Sequence, residues 1–297
     1  MIGKTLFEVF IMKPLSIWLE ASRPKTLIAS ISPALIGTVL AWKNGSFSPL
    51  IFLLTLLTGL SIQVGTNFAN DYFDFLKGAD TIDRKGPRRI TQAGLVALPV
   101  MRKAIILAFT AAALFSAYLA FVGGPYISLL TILHIGLSLA YTAGPVPLAY
   151  FGLGDFFVLA CYGPIATLIT YYLQTHEVPL HVGILGFCPG LVSTAILTAN
   201  NLRDVNEDRI CNKKTLVVRF GETFGRMEYT LCLVAACLVP CLYGHYLMPI
   251  LLLPAIVPIK ALWMIQDKKL LNVPFAQTGK FLIVFTLLLT VSIIYGI

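Results

Sequence analysis

Charged residues are scarce in this sequence, and their scarcity indicates the class of protein. Only 12% of the 297 residues are Asp, Glu, Lys or Arg, whereas 57% are hydrophobic. A soluble domain carries about 25% charged residues, so the composition predicts an all-α polytopic membrane protein instead. The net charge of +8 would suggest a nucleic-acid partner in a soluble protein. No nucleic-acid motif accompanies it, and we expect no such partner.

Motifs for disulfides, secretion and domain linkers are also missing. The six cysteines include no Cys-x-x-Cys pair, and most lie in apolar runs, as buried thiols do. No cleavable signal peptide is evident, because the first apolar run, from Thr5 to Met12, is short and contains Glu8. We expect residues 1–22 to lie at the membrane interface. No linker rich in Gly, Ser or Pro divides the chain, so residues 1–297 are expected to form one transmembrane domain.

Long apolar runs set the expected number of membrane spans. A helix needs roughly 17–25 apolar residues to cross the hydrocarbon of a bilayer. Runs of about this length predict nine transmembrane helices, at 24–42, 49–70, 103–122, 126–142, 153–174, 181–201, 228–246, 249–266 and 279–297.

Basic residues are distributed very unevenly across these spans. Of the 22 Lys and Arg residues, twenty fall on one side of the membrane, one on the other side and one within a span. The positive-inside rule places the basic side, with the N-terminus, in the cytoplasm. The two longest connections, 75–102 and 209–227, lie on that side, and we expect them to form cytoplasmic cap loops.

Two acidic clusters interrupt the apolar pattern, and ionisable residues in such places usually serve a function. One cluster ends at Asp74 and the other at Asp208, and Ala-Asn-x-x-x-Asp recurs at 69–74 and 199–204. In helical geometry the polar side chains of each cluster share one face. Asp and Asn oxygens suit Mg²⁺, which often completes its shell with substrate phosphate. Two such clusters facing one cavity would make a divalent-metal site able to hold a diphosphate.

Basic residues beside both clusters are candidates to neutralise the remaining phosphate charge. A single Asp at a helix end is more often a solvated cap than a ligand. Any single Lys or Arg could also reflect only the excess of basic residues on the cytoplasmic side, with no role in binding phosphate. The matching spacing and the shared side of the membrane favour the metal–diphosphate interpretation. The candidate bases are Lys77, Arg84, Arg88, Arg89, Arg203, Arg209, Lys213 and Lys214.

A loop punctuated by Pro and Gly, at 141–150, carries no Lys or Arg although it lies on the basic side. We therefore expect it to pack against another part of the protein. Asp155 follows at the start of the next span. It suits either a helix N-cap or an acid that faces the substrate.

Taken together, these motifs resemble the UbiA superfamily of intramembrane aromatic prenyltransferases. Its two Asp-rich motifs, on the second and sixth of nine helices, match Asn-Asp-x-x-Asp at 70–74 and Asp-x-x-x-Asp at 204–208. Gly78 stands where the first motif usually ends in another Asp. That glycine, the Gly-Pro-x-Arg-x-x-Gln-x-Gly loop at 86–94 and the stretch at 141–154 look closest to the branch that prenylates 1,4-dihydroxy-2-naphthoate.

The resemblance implies nine helices around a central cavity in the bacterial cytoplasmic (inner) membrane. It implies transfer of a polyprenyl group from its diphosphate to 1,4-dihydroxy-2-naphthoate, with loss of CO₂ and diphosphate, giving demethylmenaquinol in menaquinone biosynthesis. The implied cofactor is Mg²⁺, held by Asn70, Asp71, Asp74, Asn201, Asp204 and Asp208.

The resemblance also implies roles for further residues. Asp74, Asp204 and Asp208 would be catalytic, together with Asp155, which would orient or deprotonate the acceptor hydroxyl. Substrate contacts would come from Lys77, Arg84, Arg89, Gln92, Tyr141, Arg203, Arg209 and Lys214.

Two alternatives remain open at this stage. A member of the same superfamily could use another acceptor, such as 4-hydroxybenzoate or homogentisate. An ion-coupled transporter would also place acids in membrane helices, but near the midplane on broken helices. Here the acids lie at helix ends beside basic loops, which favours phosphate chemistry.

Overall fold

The computed structural model describes residues 14–78, 85–144 and 147–297. Every regular element in these ranges is a helix. The helices are α1 (Leu15–Ser22), α2 (Pro24–Lys43), α3 (Pro49–Leu76), α4 (Leu98–Gly123), α5 (Tyr126–Ala140), α6 (Gly154–Thr175), α7 (Leu180–Arg203), α8 (Val205–Ile210), α9 (Leu216–Phe220), α10 (Glu222–Tyr243), α11 (Met248–Met264) and α12 (Lys268–Tyr295).

Seven of these helices are long and apolar enough to cross a membrane, namely α2, α3, α4, α6, α7, α10 and α12. The other two predicted spans overlap the shorter apolar helices α5 and α11. The prediction of an all-α polytopic membrane protein is therefore confirmed, with seven rather than nine helices of spanning length in the described part. Helix α3 runs six residues past the predicted end of its span at residue 70, because hydropathy falls at the polar cluster while the helix continues.

Helix α7 lies at the centre of the bundle. It packs against α2, α6, α10 and α12, and its buried residues cover its whole circumference, as expected for a helix that is apolar all round. The contact with α6 is unusually close. A Cβ atom on Gly190 would lie 2.5 Å from the carbonyl oxygen of Leu159, so only glycine fits there.

A π-helical turn interrupts α6 at Cys161–Ile165, where Pro164 lies inside the helix and Gly163 has non-helical dihedral angles. Proline removes a backbone donor and so favours such a break. The turn contains Tyr162, which lines the cavity described below. Turns of this kind are frequent at functional sites.

The segments expected at the cytoplasmic ends of the spans are partly helical. Helix α4 begins at Leu98, within the predicted cap loop 75–102, and α8 and α9 lie in or beside the predicted loop 209–227. At the N-terminus, the described part of residues 1–22 contains α1, which packs against α3. The ring of Trp18 meets that of Phe68 with centroids 5.7 Å apart, so α1 is held by the protein itself.

Candidate active site at the ends of two helices

One cavity of about 360 Å³ is lined by both acidic clusters. Asn70 and Asp74 come from the end of α3, whereas Asn201, Asp204 and Asp208 come from the end of α7 and from α8. Helix C-termini carry a partial negative charge, so these carboxylates reinforce a potential that attracts cations. The prediction that the two clusters meet at one cavity is confirmed.

The second cluster is not one continuous helix, contrary to prediction. Helix α7 ends at Arg203, and Asp204 has φ −94° and ψ 10°. Its backbone N–H still donates to the carbonyl of Asn200 at 3.0 Å, and that of Asp208 donates to Asp204 at 2.8 Å. The break therefore redirects the chain while Asp208 stays at the cavity.

Two carboxylates in the cavity are paired with bases that also line it. Nη2 of Arg89 lies 2.7 Å from Oδ2 of Asp74, and Nζ of Lys213 lies 3.5 Å from Oδ1 of Asp208. Each cluster thus has its own basic partner at the cavity wall.

Asp204, another carboxylate that lines the cavity, has a partner of a different kind. Arg203 donates to both oxygens of Asp204 at 2.7 Å, but its side chain is fully buried and does not line the cavity. Asn200 and Asn272 accept its other donors, and its guanidinium stacks over the Phe275 ring at 5.7 Å. Arg203 therefore fixes the orientation of the Asp204 carboxylate from a buried position outside the cavity.

Asp71 differs from its neighbour Asp74. Its two oxygens accept backbone hydrogen bonds from Ile90 at 2.9 Å and Thr91 at 3.0 Å. It is buried and does not line the cavity. Asp71 therefore holds the segment that carries Arg89, and this geometry gives no support to its predicted role as a metal ligand.

Residues 147–153 pack against the segment between α8 and α9. They overlap the end of the loop at 141–150, which was expected to pack against another part of the protein because it lacks basic residues. The backbone N–H of Lys214 donates to the carbonyl of Tyr150 at 3.0 Å. Arg219 then donates to the carbonyls of Lys214 at 3.0 Å and Phe151 at 2.8 Å. Gly152 has φ +75°, and a Cβ there would lie 2.9 Å from the Lys214 carbonyl. This paired-loop contact positions Lys213 and Tyr150 at the cavity.

Electrostatics couple the groups at this wall. Burial raises the pKa of Asp208 to about 6, although Lys213 opposes the shift. Burial alone would lower the pKa of Lys213, yet Asp208 and Asp74 raise the pKa of this ammonium above its ordinary value. Burial also raises the pKa of Tyr150 to about 12. Lys213 is therefore a cation within the field of both acidic clusters.

A polar chain lies at the border between the acidic end and the apolar part of the cavity. Tyr162 donates to Gln63, whose amide lies 3.4 Å from the Thr26 hydroxyl. Asn67 also donates to Thr26, at 3.2 Å. The apolar lining includes Ala29, Phe157, Val158, Ile196, Leu197 and Phe275.

The structure divides the predicted site residues into two groups. Those that line the cavity are Asn70, Asp74, Arg89, Tyr141, Asn201, Asp204 and Asp208. Those that do not are Asp71, Lys77, Gln92, Asp155, Arg203, Arg209 and Lys214, and Arg84 lies outside the described residues.

Six residues of the second group were expected to contact substrate or act on the acceptor, and Asp155 and Lys214 are two of them. Asp155 is buried in the first turn of α6, whose N-cap is Leu153, so it is neither the N-cap nor a cavity residue. Lys214 is exposed, and it is the neighbouring Lys213 that reaches the cavity. A catalytic role for Asp155 and a substrate contact by Lys214 stay predictions without support from this geometry.

Sequence reasoning also missed several cavity residues. Gln63 precedes Asn67, Asn70 and Asp74 at helical spacing, so extending the polar stripe of α3 by one turn would have found it. Arg23 and Lys25 line the cavity as well, but their charges were interpreted only as topology signals.

The donor set of the cavity fits a hydrated divalent metal. Within the described ranges, no three Asp, Glu, His or Cys side chains are grouped closely enough to hold a metal ion by themselves. Mg²⁺ usually takes only one or two carboxylates, with waters and substrate phosphate completing its shell. One such oxygen is available, because Oδ2 of Asp208 is buried without a hydrogen-bond partner in the described structure.

Comparison with known proteins identifies the family of this chain. The UbiA prenyltransferase family matches residues 30–275, which include both acidic clusters and the segment between them. The chain belongs to the UbiA prenyltransferase family. The match extends from α2 to the start of α12 and so takes in most of the helices that line the cavity.

Several members of the UbiA family are close in sequence. The 1,4-dihydroxy-2-naphthoate octaprenyltransferase of Escherichia coli (strain K12) is 40% identical over 228 residues, which cover 75% of this chain and 74% of the relative. The protein of the same name from Haemophilus influenzae is 38% identical, with 77% of each chain covered. The one from Bacillus subtilis is 32% identical, covering 68% of this chain and 65% of the relative.

Solved structures of UbiA homologs share the fold at low sequence identity. The apo UbiA homolog of Aeropyrum pernix K1 has a TM-score of 0.68 at 15% identity, covering 89% of this chain and 98% of its own. The UbiA homolog of Archaeoglobus fulgidus bound to DMAPP and Mg²⁺ has a TM-score of 0.62 at 13% identity, covering 94% of this chain and 99% of its own.

Proposed function

We propose that this UbiA-family prenyltransferase transfers a polyprenyl group from its diphosphate to 1,4-dihydroxy-2-naphthoate. The allylic C–O bond breaks, a new bond forms at the ring carbon that bears the carboxyl group, and CO₂ and diphosphate leave. The product is demethylmenaquinol, in menaquinone biosynthesis. The acceptor is the one in the names of the relatives that are 32–40% identical.

One structural observation carries the reaction type. The cavity joins an acidic end, built by two clusters, to an apolar part inside the helices. A polyprenyl diphosphate has the same two-part chemistry, with a charged head and a hydrocarbon tail. We infer that the head lies at the acidic clusters and the first prenyl units lie against Phe157, Ile196 and Phe275.

The residues proposed to hold Mg²⁺ are Asp74, Asp204 and Asp208, with amide oxygens from Asn70 and Asn201. The Asn70 oxygen is already oriented, because the Thr142 hydroxyl donates to it at 2.9 Å. When bound, Mg²⁺ supplies positive charge that stabilises the leaving diphosphate. Asp71 and Arg203 stay outside this set, since one holds the segment with Arg89 and the other holds Asp204.

Arg89 is proposed to contact the diphosphate from the side of the first cluster. Guanidinium donors match phosphate oxygens well, and charge stabilisation at the leaving group is what breaking the C–O bond requires. Asp71 keeps Arg89 in place through Ile90 and Thr91. The acceptor ring is proposed to lie between this region and the Tyr162–Gln63 pair, whose polar groups suit its hydroxyls.

The basic side of the membrane is proposed to be cytoplasmic, which places the cavity mouth in the cytoplasm. The positive-inside rule supports this orientation. The enzyme would then draw on a water-soluble aromatic acid from the cytoplasm and on a lipid-borne prenyl donor from the bilayer.

The reaction is tested with purified protein in lipid nanodiscs, labelled polyprenyl diphosphate, Mg²⁺ and a panel of aromatic acids. We expect diphosphate and CO₂ release with 1,4-dihydroxy-2-naphthoate, and none when EDTA removes the metal. Product formed only with 4-hydroxybenzoate would overturn the acceptor assignment. Absence of diphosphate release with every acceptor would overturn the enzyme assignment.

A further inference from the structure

The ion pairs that the described residues form at the acidic clusters differ in how freely their bases can move. Arg203 is fully buried, with Asn200, Asn272 and Phe275 around it. Lys213 has a side chain that is 20% exposed and lines the cavity. A lysine ammonium on a flexible stem can change partner more easily than an enclosed guanidinium.

The backbone of Lys213, in contrast, is fixed on both sides. Its N–H donates to the carbonyl of Asp208 at 2.7 Å, and Asn212 before it has φ +55°. The next residue, Lys214, is bound to Tyr150 in the paired-loop contact. The ammonium therefore stays within reach of Asp208, and it lies 5.9 Å from the centre of the Tyr150 ring.

Asp208 has one occupied oxygen and one available oxygen. Oδ1 is paired with Lys213 at 3.5 Å, whereas Oδ2 is buried without a hydrogen-bond partner in the described structure. The hydroxyl of Tyr150, on the same wall, is also buried without a partner there. The wall thus holds a carboxylate that could take a metal ion, beside an ammonium and a phenol that could take an anion.

We propose that Lys213 is an internal counter-ion that exchanges partners when substrate binds. Resting on the proposed function, the inference is that Lys213 neutralises Asp208 in the metal-free enzyme and passes to a diphosphate oxygen when the metal takes Asp208. Tyr150 donates a hydrogen bond from its hydroxyl to the same diphosphate, and its ring keeps the Lys213 ammonium at the cavity wall.

A consequence for binding order follows from this exchange. A metal ion that binds alone must displace the ammonium of Lys213 from Asp208 and leave it without an anion, which is costly in a partly buried place. Diphosphate removes that cost by pairing with the displaced ammonium. Metal and diphosphate therefore bind with positive cooperativity, and each strengthens the other by the same factor.

The test measures Mn²⁺ binding by electron paramagnetic resonance, with and without inorganic diphosphate, for purified protein in nanodiscs. Lys213→Met removes the charge but keeps much of the stem. We expect it to bind Mn²⁺ alone about tenfold more tightly than wild type and diphosphate about tenfold more weakly, the size of one close charge pair. Lys213→Arg keeps the charge and should restore the wild-type pattern. Lys214→Ala removes an exposed ammonium outside the cavity and should also match wild type.

The outcomes separate this inference from the proposed function. If wild type binds Mn²⁺ and diphosphate together but Lys213→Met leaves Mn²⁺ binding unchanged or weaker, the exchange is overturned while the metal site stands. Unchanged diphosphate binding in Lys213→Met would likewise overturn it. A wild-type protein that binds no Mn²⁺ even with diphosphate would overturn the metal-dependent function and the exchange together. Thermal unfolding of each variant shows whether a change in binding reflects loss of fold.

Discussion

Arg203 binds Asp204 with two parallel hydrogen bonds, Nε to Oδ1 and Nη2 to Oδ2, each 2.7 Å long. The guanidinium is completely buried, and Asn272 binds it from the start of α12 at 2.9 Å. A bidentate pair fixes both the position and the plane of the carboxylate. One arm of the proposed metal site is therefore oriented before substrate arrives, by a residue that does not itself reach the cavity.

Replacing Arg203 tests this positioning. Arg203→Ala removes the bidentate partner of the nearly buried Asp204 carboxylate, which should cost about 1.5–3 kcal/mol of unfolding free energy. Arg203→Lys keeps the charge but loses the two parallel N–H donors of the guanidinium. Its stability and its activity should therefore lie between those of wild type and Arg203→Ala. Thermal unfolding in detergent measures the first effect. Arg102→Ala, at an exposed arginine on α4, is the control, and equal unfolding temperatures for Arg203→Ala and Arg102→Ala would contradict the assignment.

Asp71 and Asp74 share one motif, but replacing them should have different effects on stability and on activity. Asp71→Ala removes the acceptors of two buried backbone N–H groups, so it should cost about 2 kcal/mol or more and accelerate hydrogen exchange around Ile90 and Thr91. Asp74→Asn keeps the volume but removes a proposed metal ligand. It should lower prenyl transfer at least about 100-fold with little change in that exchange. If amide hydrogen exchange at Ile90 and Thr91 stayed slow in Asp71→Ala, the structural role of Asp71 would be contradicted.

The positions of the spans and of the acidic clusters could be predicted because their signals are local. Apolar length predicts a span, and helical spacing places Asn67, Asn70 and Asp74 on one face. Because successive spans cross the membrane in opposite directions, the C-terminal ends of α3 and α7 lie on the same side of it. These inferences need no knowledge of which side chains touch.

The identity of the inward-facing base could not be predicted in this way. Lys213 and Lys214 are adjacent and chemically identical, and both follow the second cluster. The left-handed conformation of Asn212 and the contact with Tyr150 decide which lysine faces the cavity. That contact joins residues more than sixty positions apart, so no local pattern contains it. The partner of Asp71, a backbone segment beyond the end of α3, is hidden for the same reason.

Asn272 should act on substrate binding from outside the cavity. Its oxygen accepts from Arg203 at 2.9 Å, and its amide donates to the carbonyl of Lys85 at 2.9 Å. It thus joins the second cluster to the segment that carries Arg89. Asn272→Ala removes both hydrogen bonds and a third, local one to the carbonyl of Lys269, each worth about 0.5–1.5 kcal/mol. It should raise KM for the prenyl diphosphate more than it lowers kcat.

The conservative variant Asn272→Asp sharpens that test. Its carboxylate can still pair with Arg203 but cannot donate to the carbonyl of Lys85. Stability should therefore recover while the raised KM remains. Steady-state kinetics with varied prenyl diphosphate measures the difference. If Asn272→Ala lowered kcat alone, the link to the Arg89 segment would be wrong.

Gly152 provides a test of the paired-loop contact that does not touch any cavity residue. Alanine there must adopt φ +75°, which costs about 1–2 kcal/mol, and its Cβ would also lie 2.9 Å from the Lys214 carbonyl. Gly144 has φ +82° shortly before this loop, and a Cβ added there would meet none of the described residues within 4 Å, so Gly144→Ala carries the backbone strain alone. We expect Gly152→Ala to unfold at a lower temperature than Gly144→Ala and to weaken diphosphate binding, because only the former separates the loops that position Lys213 and Tyr150. Identical unfolding and binding in the two variants would show that the loops do not depend on this contact.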